Sequence, residues 1–121
     1  PQALHAYAVD QLAPLGLAYL HVIEGQTGGR RDFAPFDYAA LRRRFKGAWM
    51  VNNGYTRDMA MAAVAAGAAD LVAFGKPFIA NPDLGRRLRA DAALNPPDPA
   101  TFYGGGAAGY TDYPMLDAAL A

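Results

Sequence analysis

The sequence predicts an α/β chain in which parallel strands alternate with helices. Two observations carry that expectation. Leu17–Ile23, Ala48–Val51 and Leu71–Phe74 are apolar runs without the polar alternation of a half-exposed sheet, so they read as buried strands. They recur at about 20 to 30 residues with helical or turn segments between them, which is the rhythm of βα units.

The first element, Ala3–Leu12, reads as the end of a helix closed near Pro14 and Gly16. After the first strand come a loop, Gly25–Ala34, and a helix expected from Pro35 to Phe45. Pro35 suits a first helical turn, and Leu41 and Phe45 share a face at i, i+4. The next helix is expected to have Thr56 as N-cap, Asp58 in its first turn and Gly67 just past its end. The one after it is expected to start with Asn81 as cap and Pro82 at its first position. Leu84 and Leu88 then share a face, and Arg86, Arg87 and Arg89 form the solvated side. From Leu94 the chain turns to Pro, Gly and Tyr without period, a structured tail. The expected division is therefore residues 1–93, with the strands and helices, and residues 94–121, the tail.

Composition removes several functions. The chain has 121 residues with 11 basic and 11 acidic side chains, which argues against a nucleic-acid or anionic-membrane partner. No run of about 18 apolar residues suggests a transmembrane helix. There is no cysteine, hence no disulfide framework, thiolate nucleophile or thiolate metal site. No metal-ligand cluster appears, and a cytoplasmic location is the default expectation. The 27 alanines, against 25 Leu, Ile, Val and Phe together, favour closely packed helices over one bulky core. The chain starts at Pro1 without a signal-like leader and reads as a piece of something longer. Three parallel strands would leave two raw sheet edges, and an eight-stranded (β/α)8 barrel needs about 250 residues. The arithmetic gives three-eighths of such a barrel.

Four places could carry chemistry. Gly104, Gly106 and Gly109 spell the letters of a dinucleotide fingerprint, but prolines precede them and no helix has room to follow, so the mechanism is missing. The turn Asn52–Tyr55 lies where a strand ends and a capped helix begins. Peptide N–H groups there suit a phosphate, although Asn and Gly also make an ordinary tight turn. Gly75 and Lys76 follow the last strand and offer close backbone approach beside a cation. Both loops fall at the carboxyl ends of consecutive strands, the usual phosphate site of a barrel. Finally, His21 reads as a hydrogen-bonded core histidine and His5 as surface. Glu24, the single glutamate, reads as a loop anchor in preference to a catalytic carboxylate.

These residues together resemble a known family. Tyr19-Leu20-His21-Val22, Asn53-Gly54-Tyr55, the run Asp70–Leu84 and the tail Thr101–Gly106 with Gly109–Pro114 are similar to the C-terminal third of the old yellow enzymes, FMN-dependent ene-reductases. The resemblance spans about residues 15 to 116 and implies strands six to eight of a TIM barrel, followed by a tail over the barrel mouth. It implies FMN as cofactor and NAD(P)H as hydride donor, with an activated alkene such as an α,β-unsaturated carbonyl as substrate. Asn53 and Gly54 would offer phosphate-binding amides after strand seven, and Gly75 and Lys76 would do so after strand eight. Phe102 and Tyr103 would lie along the isoalloxazine edge and the active-site rim.

Lys76 stands where the family commonly has arginine, which exchanges a planar fork for a point charge. Asn53 stands where glycine is frequent, and its tolerance of left-handed backbone makes it acceptable. The family's substrate-binding His with His or Asn, and its tyrosine proton donor, lie upstream, so no catalytic residue is assigned in this chain. The implied partner is the N-terminal remainder of the barrel, in the same parent or as a second chain. The competing expectation is an inactive partial barrel that self-associates and binds no flavin.

Overall fold

Residues 1–26, 29–32 and 35–116 of the computed structural model are described here; parts of the predicted loop before the second helix, and the last five residues of the tail, lie outside them. The chain divides into two units, Pro1–Ala73 and Phe74–Ala121, and each is described by itself.

The first unit holds a three-stranded parallel sheet in the order β1 (Tyr19–Ile23), β2 (Ala48–Asn52), β3 (Leu71–Val72). His21 registers with Met50, and Met50 with Leu71. The first and third apolar runs outreach their strands: Leu17, Ala18, Ala73 and Phe74 lie beyond them, and β3 is only two residues long, while β2 continues one residue past its run. Helix α1 (Gln2–Leu12) runs into a 3-10 turn, Ala13–Leu15, and stops where Gly16 takes a φ of +65°. Helix α2 is Tyr38–Arg44, so Pro35 lies ahead of it and not in its first turn. Asp37 begins the helix instead, because its carboxylate accepts from the Ala40 amide at 2.7 Å. Helix α3 (Arg57–Ala65) follows expectation: the Thr56 hydroxyl accepts from the Met59 amide, and Gly67 past its end has a φ of +68°.

One face of the sheet carries the core. Trp49 and Val51 of β2 are buried with Val9 of α1, Leu41 of α2, Phe45 just past its end and Ala69, and Leu20 and Val22 of β1 pack against them. Gly47 is needed here, since a Cβ at that position would meet the buried Phe45 ring at 2.6 Å. Asp70 joins the strands: its carboxylate accepts from the Trp49 amide and the Arg42 guanidinium, and its own amide donates to Trp49. The other face stays open. Tyr19 and Ile23 are 48% and 49% exposed and Leu71 is 42% exposed. His21 is exposed between them, and so is not the core histidine its apolar neighbours predict. Strand alternation explains the difference, because Leu20 and Val22 take the helix-covered face and leave His21 on the uncovered one.

The second unit opens with helix α4 (Lys76–Ala80), where a loop is expected, and continues with α5 (Leu84–Ala90). Asn81 and Pro82 lie between the helices, so they do not begin one. The fully buried Asn81 side chain donates to Pro77 and Asn95 carbonyls and accepts from the Asn95 amide. Arg87, expected in solvent, is buried. It pairs with Asp83 at 2.8 Å and donates to the Ala93 and Pro114 carbonyls, while the other Asp83 oxygen accepts from the Leu116 amide. Asn95 adds two further bonds, to the carbonyls of Ala80 and Pro114. Buried polar groups need partners, and here the tail supplies them. The tail is thereby tied to α5 despite its lack of period.

Candidate functional site

In the first unit the site begins at the carboxyl end of β2. Asn53 has a φ of +112° and Gly54 a φ of +67°, so two successive residues take a conformation that ordinary side chains avoid. An added Cβ at Gly54 would meet nothing within 4 Å. The backbone is therefore open to an approaching group, with the first turn of α3 starting at Arg57. The Asn53 amide presently donates to the Asn52 side-chain oxygen. A carbonyl oxygen on this N–H occupies the role that an anion's oxygen would take.

The Asn53 side chain faces a different partner. Its carboxamide donates to the carbonyls of Glu24 and Gln26, just beyond the end of β1. The Glu24 amide donates in turn to the Asn52 carbonyl at 3.1 Å. The Glu24 carboxylate accepts from the Tyr55 hydroxyl at 2.6 Å and from the Arg31 guanidinium, and the guanidinium lies 3.9 Å from the Tyr55 ring centroid. Burial, and then the bond to Glu24, push the Tyr55 hydroxyl up to about 12. Glu24 is thus the loop anchor expected from its position. Arg31 and Tyr55 escape a reading of the sequence as members of this cluster, because nothing in their spacing announces that they share one carboxylate.

In the second unit, Gly75 precedes α4 with open space where a Cβ would be, and Lys76 is exposed in the helix's first turn. Further along, Phe102 is half-buried and its carbonyl accepts from the Tyr110 hydroxyl at 2.8 Å. Tyr103 is 98% exposed. Taken by itself, the open backbone of the first unit's Asn53–Gly54 turn suits an anion such as phosphate on chemical grounds, and so, separately, does the second unit's open Gly75 beside the Lys76 cation. No group of three or more His, Asp or Glu able to hold a metal occurs among the described residues.

Comparison with known proteins shows the family. Residues 2–95 match the profile of the NADH:flavin oxidoreductase / NADH oxidase family. A putative 12-oxophytodienoate reductase 12 of Oryza sativa subsp. japonica is 45% identical over 97% of this chain, which spans 31% of that protein. The 12-oxophytodienoate reductase 2 of Arabidopsis thaliana is 42% identical over 97% of the chain and is covered to 32%. Among solved structures, morphinone reductase in complex with tetrahydroNAD superposes with a TM-score of 0.87 at 47% identity, over 98% of this chain and 31% of that one. The old yellow enzyme from Trypanosoma cruzi gives a TM-score of 0.88 at 38% identity, over 97% of this chain and 30% of that one. The chain thus spans about a third of the length of these relatives. By sequence and by fold, it belongs to the NADH:flavin oxidoreductase / NADH oxidase family, whose members use FMN and a nicotinamide nucleotide.

Proposed function

We propose that the chain is the flavin-phosphate end of an FMN-dependent NAD(P)H oxidoreductase that reduces activated C=C bonds, such as those of α,β-unsaturated carbonyls. The observation that carries this reading is the Asn53–Gly54 turn. It is an open backbone with two successive positive φ values, at the carboxyl end of a parallel strand in a chain of this family. In this reading residues 1–93 are the last three βα units of the barrel and 94–121 are a tail folded over its mouth.

The Asn53 and Gly54 amides donate to the FMN phosphate, the first after the Asn52 side chain turns away from it. Gly75 lets backbone approach the same group, and the Lys76 ammonium supplies a charged contact. Phe102 and Tyr103 line the edge of the flavin ring and the rim of the site. When bound, FMN supplies the hydride chemistry between the nicotinamide and the alkene. This chain's residues bind and orient it. Binding and polarising the substrate, and protonating it, belong to the part of the barrel outside this chain. The chain's partners are then the five preceding βα units and a small enone-type substrate.

The test is the absorption spectrum of the full-length protein containing this chain, with an NADH- and NADPH-oxidation assay. The expected result is a bound-flavin spectrum and oxidation that accelerates when an enone is added. A colourless protein that neither takes up FMN nor responds to the enone overturns the proposal.

A further inference from the structure

The Glu24 carboxylate is tied to the turn of the proposed phosphate site through the Tyr55 hydroxyl. One oxygen of that carboxylate, Oε2, accepts from both the Tyr55 hydroxyl and the Arg31 guanidinium, and Arg31 covers the Tyr55 ring. The Glu24 backbone is held as well, by the Asn53 carboxamide on its carbonyl and by the Asn52 carbonyl on its amide. Residues 52, 53 and 55, which shape the turn, are therefore each bonded to residue 24. Gly54 takes its φ of +67° freely, but the φ of +112° at the non-glycine Asn53 is not held by local preference alone. Its backbone has to be over-determined by its surroundings, and Glu24 is where those restraints meet.

We propose that Glu24 is a positioning residue for the flavin phosphate: together with the Asn53 carboxamide and Tyr55 it braces the turn so that the Asn53 and Gly54 amides are set for the anion. The inference rests on the reading of that turn given above. It divides Asn53 into two roles, a backbone that meets phosphate and a side chain that is structural.

A negative charge near a phosphate site invites the objection that Glu24 would repel the ligand. The carboxylate is neutralised by its pair with Arg31, and its side chain is 13% exposed against 29% for the guanidinium. Removing it gives two effects of opposite sign. The unpaired Arg31 would draw an anion in, while the unbraced turn would hold it less well. The brace requires the second effect to win.

The experiment compares FMN with riboflavin, which has the same ring and no phosphate, by fluorescence titration of the full-length apoprotein. Wild type is expected to favour FMN strongly, and equal affinities would remove the phosphate reading itself. Given that preference, Glu24→Ala is expected to weaken FMN about tenfold and leave riboflavin within about twofold. Tyr55→Phe, a milder change that keeps the ring under Arg31, is expected to shift FMN in the same direction by less. Glu24→Gln, which keeps an acceptor for Tyr55, is expected to restore part of the loss. Parallel losses for both ligands would make Glu24 a residue of the fold alone. Unchanged or tighter FMN binding in Glu24→Ala with FMN preference intact would show that charge outweighs positioning. Either result overturns the proposal.

Discussion

At Asn53 backbone and side chain serve different neighbours. The residue's left-handed tolerance was legible in the sequence, and the structure bears it out with a φ of +112°. Its ties to Glu24 and Gln26 were not, because they join segments 27 and 29 residues apart. His21 failed for a simpler reason: an apolar neighbourhood along the chain does not say which face of a strand a side chain takes. Two predictions belong at this scale. If Lys76 makes a charged contact with phosphate, Lys76→Ala weakens FMN by about 1.5–3 kcal/mol while Lys76→Arg holds or improves it. Equal affinity in all three forms would remove that contact. The second concerns Tyr55, whose hydroxyl is raised from 10.0 to about 12 in the folded chain. A group with a raised folded value contributes stability that is complete below its unfolded value and lost above it. Denaturant titrations should therefore show stability falling between pH 10 and about 12, and Tyr55→Phe should flatten that part of the profile.

Elements were legible where a cap is local. Thr56 and Gly67 bracket α3 as expected, since an N-cap hydroxyl and a left-handed residue past the end act within a few residues. Asn81 and Arg87 look like a helix cap and a solvated arginine by the same local rules. The following chain overrides those rules by bringing the carbonyls of Ala93 and Pro114 to Arg87 and the backbone of Asn95 to Asn81, contacts that no helical period encodes. Asn81→Ala should then cost about 1–3 kcal/mol, because the partly buried backbone amide and carbonyl of Asn95 lose their partner. Urea titration measures it, and a cost near zero would mean that the tail is not held there. The Arg87 guanidinium, and then the Leu116 amide, hold the Asp83 carboxyl below its ordinary 3.8. That contribution is present above pH 3.8 and is lost as pH falls through the lowered value. Acid should accordingly expose the tail to protease.

For the whole molecule, three βα units and their parallel order were legible because each unit repeats the same apolar-run and helix pattern. The open sheet face was not. Most of its residues are apolar too, and only the packing shows that α1 and α2 contribute core to one side. Tyr19, Ile23 and Leu71 on that face, with unpaired strand edges at β1 and β3 in this sheet, suit a barrel interior continued by other strands. The 121-residue chain alone should therefore self-associate in size-exclusion chromatography with light scattering. A monodisperse, cooperatively unfolding 12.8 kDa monomer would contradict this. The central claim, that this third of the protein holds the flavin phosphate, is tested most directly by a crystal structure of the full-length protein with FMN. The expected phosphate oxygens lie within hydrogen-bond reach of Asn53, Gly54, Gly75 and Lys76. A phosphate beyond that reach of all four would contradict the account.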